Sequence, residues 1–167
     1  MEVIEKIVEE YIKLVQGWFY MSDITFPTAN HIGYRNIDFL AYDHRNDQYY
    51  DLEVKYTSLS KIVKKYPRDR DDLLFQLQRN ERKEAIESIV GKSKNVTKII
   101  VTTKSYFDSD DFSANYFASE LNKSGYECKI WYFEDILPQL YEKITERGKY
   151  SSEITETIRL IKEYIKP

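Results

Sequence analysis

The sequence contains little of what several common protein classes require. It has one cysteine, Cys128, so it can form neither an internal disulfide nor a cysteine-based zinc ribbon. Its five glycines include no glycine-rich phosphate loop, which argues against a small-molecule α/β enzyme of that kind. No apolar run approaches the length of a membrane span, and the first residues, MEVIEK, lack the apolar stretch of a signal peptide. These absences predict a soluble cytoplasmic protein that does not act at a membrane.

The composition is that of an ordinary globular domain. The 167 residues are 42% hydrophobic and 32% charged, which is enough apolar material for a core. The net charge of −3 gives no overall basic signature, so any nucleic-acid binding must come from a local patch. We find no internal repeat and no domain boundary, and we therefore expect one domain spanning residues 1–167.

The most informative stretch is Asn36–Tyr56, which reads as two strands joined by a short polar turn at His44–Asp47. Its strand-favouring apolar and aromatic residues are Ile37, Phe39, Leu40, Tyr42, Tyr50, Leu52, Val54 and Tyr56. With that turn, Asp38 comes opposite Glu53, and directly opposed residues point to the same face of a sheet. Lys55 follows two residues later and shares that face.

Two carboxylates and an ammonium group therefore converge at one point of the predicted hairpin. Like charges placed opposite each other are destabilising, so the arrangement needs an explanation, and a divalent cation is the simplest one. The alternative is a solvated strand face that carries a cross-strand salt bridge. Both strands are apolar on both faces, which favours a site over a solvated face.

The hydrophobic spacing predicts the remaining elements. These are an amphipathic helix over Glu2–Trp18, a strand over Phe19–Pro27, a helix over Asp72–Val90 capped by Asp71, a strand over Val96–Thr103, a helix over Asp110–Lys123, a strand over Glu127–Phe133, and helices over Glu134–Arg147 and Ser152–Ile165. With the hairpin, the order is α-β-β-β-α-β-α-β-α-α. A meander followed by crossover helices predicts an α/β fold with a mixed central sheet flanked by helices.

Asp38 followed by Glu53-Val54-Lys55, after an acidic amphipathic helix, resembles the signature of the restriction-endonuclease-like PD-(D/E)xK nuclease superfamily. The stretch Ile99–Thr103, the helix with Ala114 and Ala118, and the stretch Lys129–Leu137 resemble the later part of its Mrr-type branch. Within the superfamily, the chain thus resembles Mrr-type and archaeal repair-type nucleases most. The resemblance implies a three-layer fold with an α-β-β-β-α-β core. That core would occupy about residues 1–134, and extra C-terminal helices would occupy about residues 135–167.

The same resemblance implies a Mg²⁺- or Mn²⁺-dependent deoxyribonuclease. The cation would be held by Asp38, Glu53 and the backbone carbonyl of Val54, and oxygen donors favour such hard cations. Lys55 would orient the attacking water and stabilise charge on the phosphorane. A glutamate of the first helix would complete the shell, and Glu5 matches that position better than the alternative, Glu10. Gln76 is similar to a glutamine that RecB-like members carry on the helix after the lysine, where it could position Lys55 or the water.

A basic segment follows the hairpin and would contact the backbone phosphates of a nucleic acid. The residues that we expect to bind nucleic acid are Lys61, Lys64, Lys65, Tyr66, Arg68 and Arg70, with the tyrosine available to stack on a base. DNA is the expected partner, RNA remains an alternative, and a homodimer is compatible with the resemblance. A second hypothesis from another class is a catalytically inactive nucleic-acid-binding or protein-interaction module on the same fold.

Overall fold

The computed structural model describes residues 2–28, 33–56, 73–107, 113–144 and 152–164. Within these ranges it contains five α-helices of nine or more residues and five strands, in the predicted order, together with a short helical segment at 73–77. The helices are α1 (Val3–Tyr11), α2 (Asn80–Val90), α3 (Ala114–Lys123), α4 (Phe133–Lys143) and α5 (Glu153–Tyr164). The strands are β1 (Phe19–Pro27), β2 (Tyr34–Asp43), β3 (Gln48–Val54), β4 (Val96–Thr102) and β5 (Cys128–Tyr132).

The five strands form one mixed sheet in the order β1-β2-β3-β4-β5. The pairs β1–β2 and β2–β3 are antiparallel, as a meander requires, whereas β3–β4 and β4–β5 are parallel and joined by helical crossovers. The strand β3 lies in the centre of the sheet, and its residues from Tyr50 to Val54 are all buried. The α/β class and the mixed sheet predicted from the sequence are confirmed.

Helices cover both faces of the sheet. On one face, Leu52 and Val101 pack against residues of α1 and α4, such as Val8 and Leu140, and α5 packs on the same cluster. On the other face, Ile100 packs with Leu77 of the helical segment 73–77 and with Phe117 and Leu121 of α3. Ile86 of α2 packs against Ile37 and Leu40 of β2. The molecule is therefore a helix–sheet–helix sandwich. Among the described residues, no helix has the length and apolarity needed to cross a membrane.

The first helix is fixed at both ends by local chemistry. The Glu5 side chain accepts a hydrogen bond of 2.9 Å from the backbone N–H of Glu2, which completes a capping box at the start of α1. After Tyr11 the helix continues as a π-helical turn over Ile12–Gln16 and ends at Gly17, whose φ of 66° suits a residue without a side chain. The predicted helix over Glu2–Trp18 is thus present, with its last turn widened.

Four predicted boundaries need correction. The helix predicted over Glu134–Arg147 ends at Lys143, because Ile144 has an extended backbone (φ −78°, ψ 110°). The helix predicted over Asp72–Val90 is broken, because Arg79 has an extended backbone (φ −60°, ψ 135°) and α2 begins only at Asn80. The break lets Leu73 and Leu77 pack in one cluster while Ile86 packs in another. Phe133 was expected to end a strand but is the first residue of α4. Ser113 caps α3, which begins at Ala114, by accepting a hydrogen bond from the Tyr116 N–H, whereas the sequence predicted a start at Asp110.

Candidate metal and phosphodiester site

The hairpin between β2 and β3 has the register that the sequence predicted. Asp43 pairs with Gln48, and the pairing continues to Phe39 with Leu52. One further step in this register brings Asp38 and Glu53 side by side at the end of the ladder. The turn is held by Asp43, whose carboxylate accepts hydrogen bonds from the Arg45 N–H (3.1 Å) and the Asn46 amide (2.7 Å).

Asp38 is held against β3 by a backbone donor. Its Oδ2 accepts a hydrogen bond of 2.7 Å from the Val54 N–H. Burial and the negative charge of Glu53 raise the pKa of Asp38 to about 7, although the Val54 N–H and Lys55 act in the opposite direction. The negative charge of Glu5 raises the pKa of Asp38 further. The Asp38 side chain is therefore held in place, and its ionised form is disfavoured by burial and by the neighbouring carboxylates.

Glu53 is 3% exposed and has a cation on each of its oxygens. Its Oε1 lies 2.7 Å from the Nζ of Lys55, and its Oε2 lies 2.8 Å from the Nη1 of Arg82. The two partners differ in freedom, because the Lys55 side chain is 36% exposed whereas that of Arg82 is 1% exposed. The lysine can move into solvent and the arginine cannot.

Arg82 belongs to a buried ionic cluster that the sequence interpretation missed. Its Nε and Nη2 donate to both oxygens of Asp51, at 3.0 and 2.6 Å. Lys98 of β4 donates to Asp51 Oδ2 at 2.8 Å. Burial alone would raise the pKa of Asp51, but Arg82 and Lys98 outweigh it and hold that pKa well below its ordinary value. A sequence signal existed: Asp51, Glu53 and Lys98 are charged residues inside otherwise apolar strands.

The two ion pairs that Glu53 makes, with Arg82 and with Lys55, differ in how strongly the fold depends on them. Removing one partner from a fully buried ion pair costs about 3–5 kcal/mol, because the other charge is left without compensation. The Lys55 end of the other pair reaches solvent, so water can replace that contact more readily. The Arg82 contact to Glu53 is accordingly a fixed part of the fold, and the Lys55 contact is exchangeable.

A cleft of about 250 Å³ opens beside Asp38. Its lining consists of Glu2, Ile4, Glu5, Asp38, Val54, Lys55 and Tyr56. Of the two candidate glutamates of the first helix, Glu5 lines this cleft. Glu10 does not line this cleft. It is 5% exposed, and its carboxylate lies 3.4 Å from the ammonium group of Lys13. The structure thus brings Glu5, Asp38 and Lys55 to one cavity, with Glu53 bonded to Lys55.

The oxygen donors fit a hard divalent cation in part. The buried carboxylate of Glu53 lies beside the half-buried carboxylate of Asp38, whose pKa is raised by burial and then by the negative charge of Glu53, a charge that a cation would neutralise. The Val54 carbonyl is the third donor that the sequence resemblance implies. Within the part of the chain that the structure describes, no group of three or more histidine, cysteine, aspartate or glutamate residues has the spacing of a metal site. Glu5 therefore lines the cleft without being placed as a third side-chain ligand.

A second cleft of about 400 Å³ contains four lysines, Lys83, Lys92, Lys94 and Lys98. Its positive charge is largely used within the fold. Lys94 lies 2.9 Å from Asp47, and Lys98 lies 2.8 Å from Asp51. We therefore place the candidate site in the first cleft.

The structure does not place the remaining predicted site residues in the cleft. Gln76 lies in the helical segment 73–77 and is half-buried, and its role stays a prediction. The residues expected to bind nucleic acid, Lys61, Lys64, Lys65, Tyr66, Arg68 and Arg70, lie outside the described residues, and so does Asp71.

The fold defines an α/β protein with a mixed five-stranded sheet between helical layers. No family model and no curated protein matches the chain. Among solved structures, the chain is similar to the crystal structure of an XisH family protein from Nostoc punctiforme PCC 73102. The two are 13% identical with a TM-score of 0.48, and the match covers 81% of this chain and 94% of the other. A likeness of this size carries no argument about activity.

Proposed function

We propose that this protein is a metal-dependent nuclease that hydrolyses phosphodiester bonds in DNA on a restriction-endonuclease-like scaffold. The observation that supports this most is the pair Asp38 and Glu53, adjacent at the end of a hairpin, with Lys55 bonded to Glu53. The pKa of Asp38 is raised by burial and by repulsion from Glu53, and a divalent cation would relieve that repulsion. The element order around the pair, α-β-β-β-α-β, is the order that the sequence resemblance implies for such nucleases.

In this proposal, Mg²⁺ or Mn²⁺ would be held by Asp38, Glu53 and the Val54 carbonyl. When bound, the cation supplies Lewis-acid activation of the phosphate and a more acidic water. The chain's own residues prepare the site: the Val54 N–H fixes Asp38 at 2.7 Å, and Arg82 fixes Glu53 at 2.8 Å. Both carboxylates are thus placed before substrate arrives, which is the preorganisation that electrostatic catalysis requires.

Lys55 has the mobility to serve the substrate in this proposal. Its ammonium group can leave Glu53 for the cleft, because the side chain is partly exposed and lines the cleft, and Arg82 still pairs with Glu53. It can then donate to a non-bridging phosphate oxygen and to the attacking water, stabilising negative charge as it develops on phosphorus. Glu5 adds negative charge at the mouth of the cleft, and the basic segment 61–70 would contact neighbouring phosphates.

The test uses supercoiled, linear, single-stranded and branched DNA, and RNA, each with Mg²⁺ or Mn²⁺. The wild type is expected to cleave DNA, and Asp38→Asn and Lys55→Met are each expected to lose activity by roughly 10²–10³-fold. Asp47→Asn is the matched control, because it makes the same charge change as Asp38→Asn in an exposed turn. Its φ of 49° is a conformation that asparagine tolerates.

Thermal unfolding with and without Mg²⁺ gives a second readout that needs no substrate. A cation that binds only the folded protein raises the unfolding temperature, by an amount equivalent to about 2.7 kcal/mol at 100 times its Kd. We expect this rise in the wild type and in Asp47→Asn, but not in Asp38→Asn. Equal residual cleavage by all variants would indicate a contaminating nuclease and overturn the proposal. Specific nucleic-acid binding without any cleavage would instead favour an inactive binding module.

A further inference from the structure

The two oxygens of Glu53 are not equivalent, and this inequality has a consequence for the proposed cation site. Oε2 is bonded to Arg82 at 2.8 Å, and that guanidinium is anchored by two further bonds to Asp51 at 2.6 and 3.0 Å. The Arg82 side chain is 1% exposed, so it has no solvent to move into. Oε1 is bonded at 2.7 Å to Lys55, which is 36% exposed. Only Oε1 can exchange its partner.

From this we infer that Arg82 is a positioning residue that limits Glu53 to one donor oxygen, so that the site selects Mg²⁺ over the larger Ca²⁺. The inference rests on the proposed function, because it concerns the same cation. Mg²⁺ requires close to octahedral geometry with single oxygens from each ligand and keeps several waters. Ca²⁺ takes six to eight oxygens and readily binds both oxygens of one carboxylate. A glutamate with one oxygen held by arginine is therefore a poorer ligand for Ca²⁺.

The geometry of arginine suits this role and that of lysine does not. The guanidinium group is planar, with donors in a fixed fork, so a single side chain can bridge Asp51 and Glu53 in one orientation. Lys98, the other buried cation of the cluster, contacts Asp51 at 2.8 Å and lies over the ring of Tyr126 at 4.4 Å. Lys98 carries the same charge into the same cluster through Asp51, which makes it a natural control for Arg82.

The experiment measures Mg²⁺ and Ca²⁺ affinity by competition with Mn²⁺, with free Mn²⁺ followed by electron paramagnetic resonance. The quantity of interest is the ratio of the Ca²⁺ affinity to the Mg²⁺ affinity. Loss of a positive charge affects both divalent ions alike, so the ratio isolates the effect of donor geometry. In Arg82→Met the ratio is expected to rise about tenfold relative to the wild type, which corresponds to about 1.4 kcal/mol. Lys98→Met is expected to leave the ratio within twofold of the wild type.

Two further variants keep the test decisive if Arg82→Met does not fold. The double variant Arg82→Met with Asp51→Asn removes one charge of each sign, so the buried cluster stays balanced. Arg82→Lys keeps the charge but loses the planar fork that bonds both oxygens of Asp51 and one of Glu53 at once, and both variants are expected to shift the ratio in the same direction. Folding of each is checked by circular dichroism before metal is added.

The outcomes separate this inference from the proposed function. A wild type that binds neither Mn²⁺ nor Mg²⁺ overturns the proposed function. A wild type that binds Mg²⁺, with an unchanged ratio in the folded Arg82 variants, overturns the inference alone. An equal shift of the ratio in Lys98→Met also overturns it, since that residue does not contact Glu53. A shift confined to the Arg82 variants supports it.

Discussion

The backbone N–H of Val54 donates a hydrogen bond of 2.7 Å to the side chain of Asp38, 16 residues earlier in the chain. The bond lies just beyond the last pair of the β2–β3 ladder, Phe39 and Leu52. A carboxylate thus takes the place of a backbone acceptor where the two strands separate. This arrangement ties the Asp38 side chain to the main chain of β3.

The first prediction concerns Asp38 and the pH dependence of folding without divalent cations. Its pKa is raised to about 7 in the folded protein, by burial and then by the charge of Glu53, whereas it is near 4 in the unfolded chain. Between these values the folded state binds more protons than the unfolded state, so stability falls as pH rises and levels off above pH 7. The slope is at most about 1.4 kcal/mol per pH unit.

The measurement is urea-induced unfolding in EDTA at several values between pH 5 and pH 8. Asp38→Asn lacks the titrating group, so it is expected to gain stability relative to the wild type by about 2–3 kcal/mol over this range. In Asp47→Asn the difference from the wild type should stay constant with pH, because that exposed carboxylate is ionised throughout. Parallel curves for the wild type and Asp38→Asn would contradict the raised pKa.

The second prediction concerns the turn that sets the hairpin register. Burial alone would raise the pKa of Asp43, but hydrogen bonds from Arg45 and Asn46 outweigh it and lower the pKa to about 2. The carboxylate therefore stays ionised and accepts these bonds at any pH near neutrality. Asp43→Ala leaves several donors without an acceptor and is expected to cost about 1–3 kcal/mol of folding free energy. Urea unfolding measures this loss.

Asp43→Asn is the matched variant for that experiment, because it keeps one acceptor oxygen and the shape of the side chain. Its loss of stability should be smaller than that of Asp43→Ala. If the alanine variant were as stable as the wild type, the turn would not depend on this side chain.

The third prediction concerns Cys128, at the start of β5. It is half-buried in the cluster that contains Phe117 and Leu121, and burial raises the pKa of its thiol to about 12. Only the thiolate reacts with disulfide reagents. We expect modification by a chromogenic disulfide reagent at pH 8 to be roughly 10²–10³-fold slower in the folded protein than in urea. A folded-state rate within tenfold of the unfolded-state rate would show that the thiol is accessible and ionisable.

The hairpin was predictable because its information is local. The turn at residues 44–47 and the alternation along both strands fix a register in which a slip of one residue would turn each side chain to the wrong face. That register alone predicts that Asp38 and Glu53 lie side by side. Their chemical role, together with that of Lys55 and Val54, stays a prediction.

The role of Arg82 could not be read in the same way. In the sequence it lies among Asn80, Glu81, Lys83 and Glu84, which is the pattern of a solvated helix. Its burial depends on Asp51 and Glu53, which are about 30 residues away and accessible to it only once α2 packs on the sheet. The break at Arg79 has the same origin, since separate packing of Leu77 and Ile86 outweighs continuous helix formation. Tertiary contacts, not local propensity, decide both features.

The ion pair between Lys6 of α1 and Glu153 of α5 joins residues 147 positions apart, at a distance of 2.8 Å. Contacts of such long range form slowly, because the intervening chain must first be ordered, whereas the meander of β1, β2 and β3 is closed by short connections. The hairpin that carries Asp38 and Glu53 can therefore form early in folding. The part of the cleft that Glu5 lines is completed only when α1 packs on the sheet, so refolding should recover the strands before it recovers the cleft.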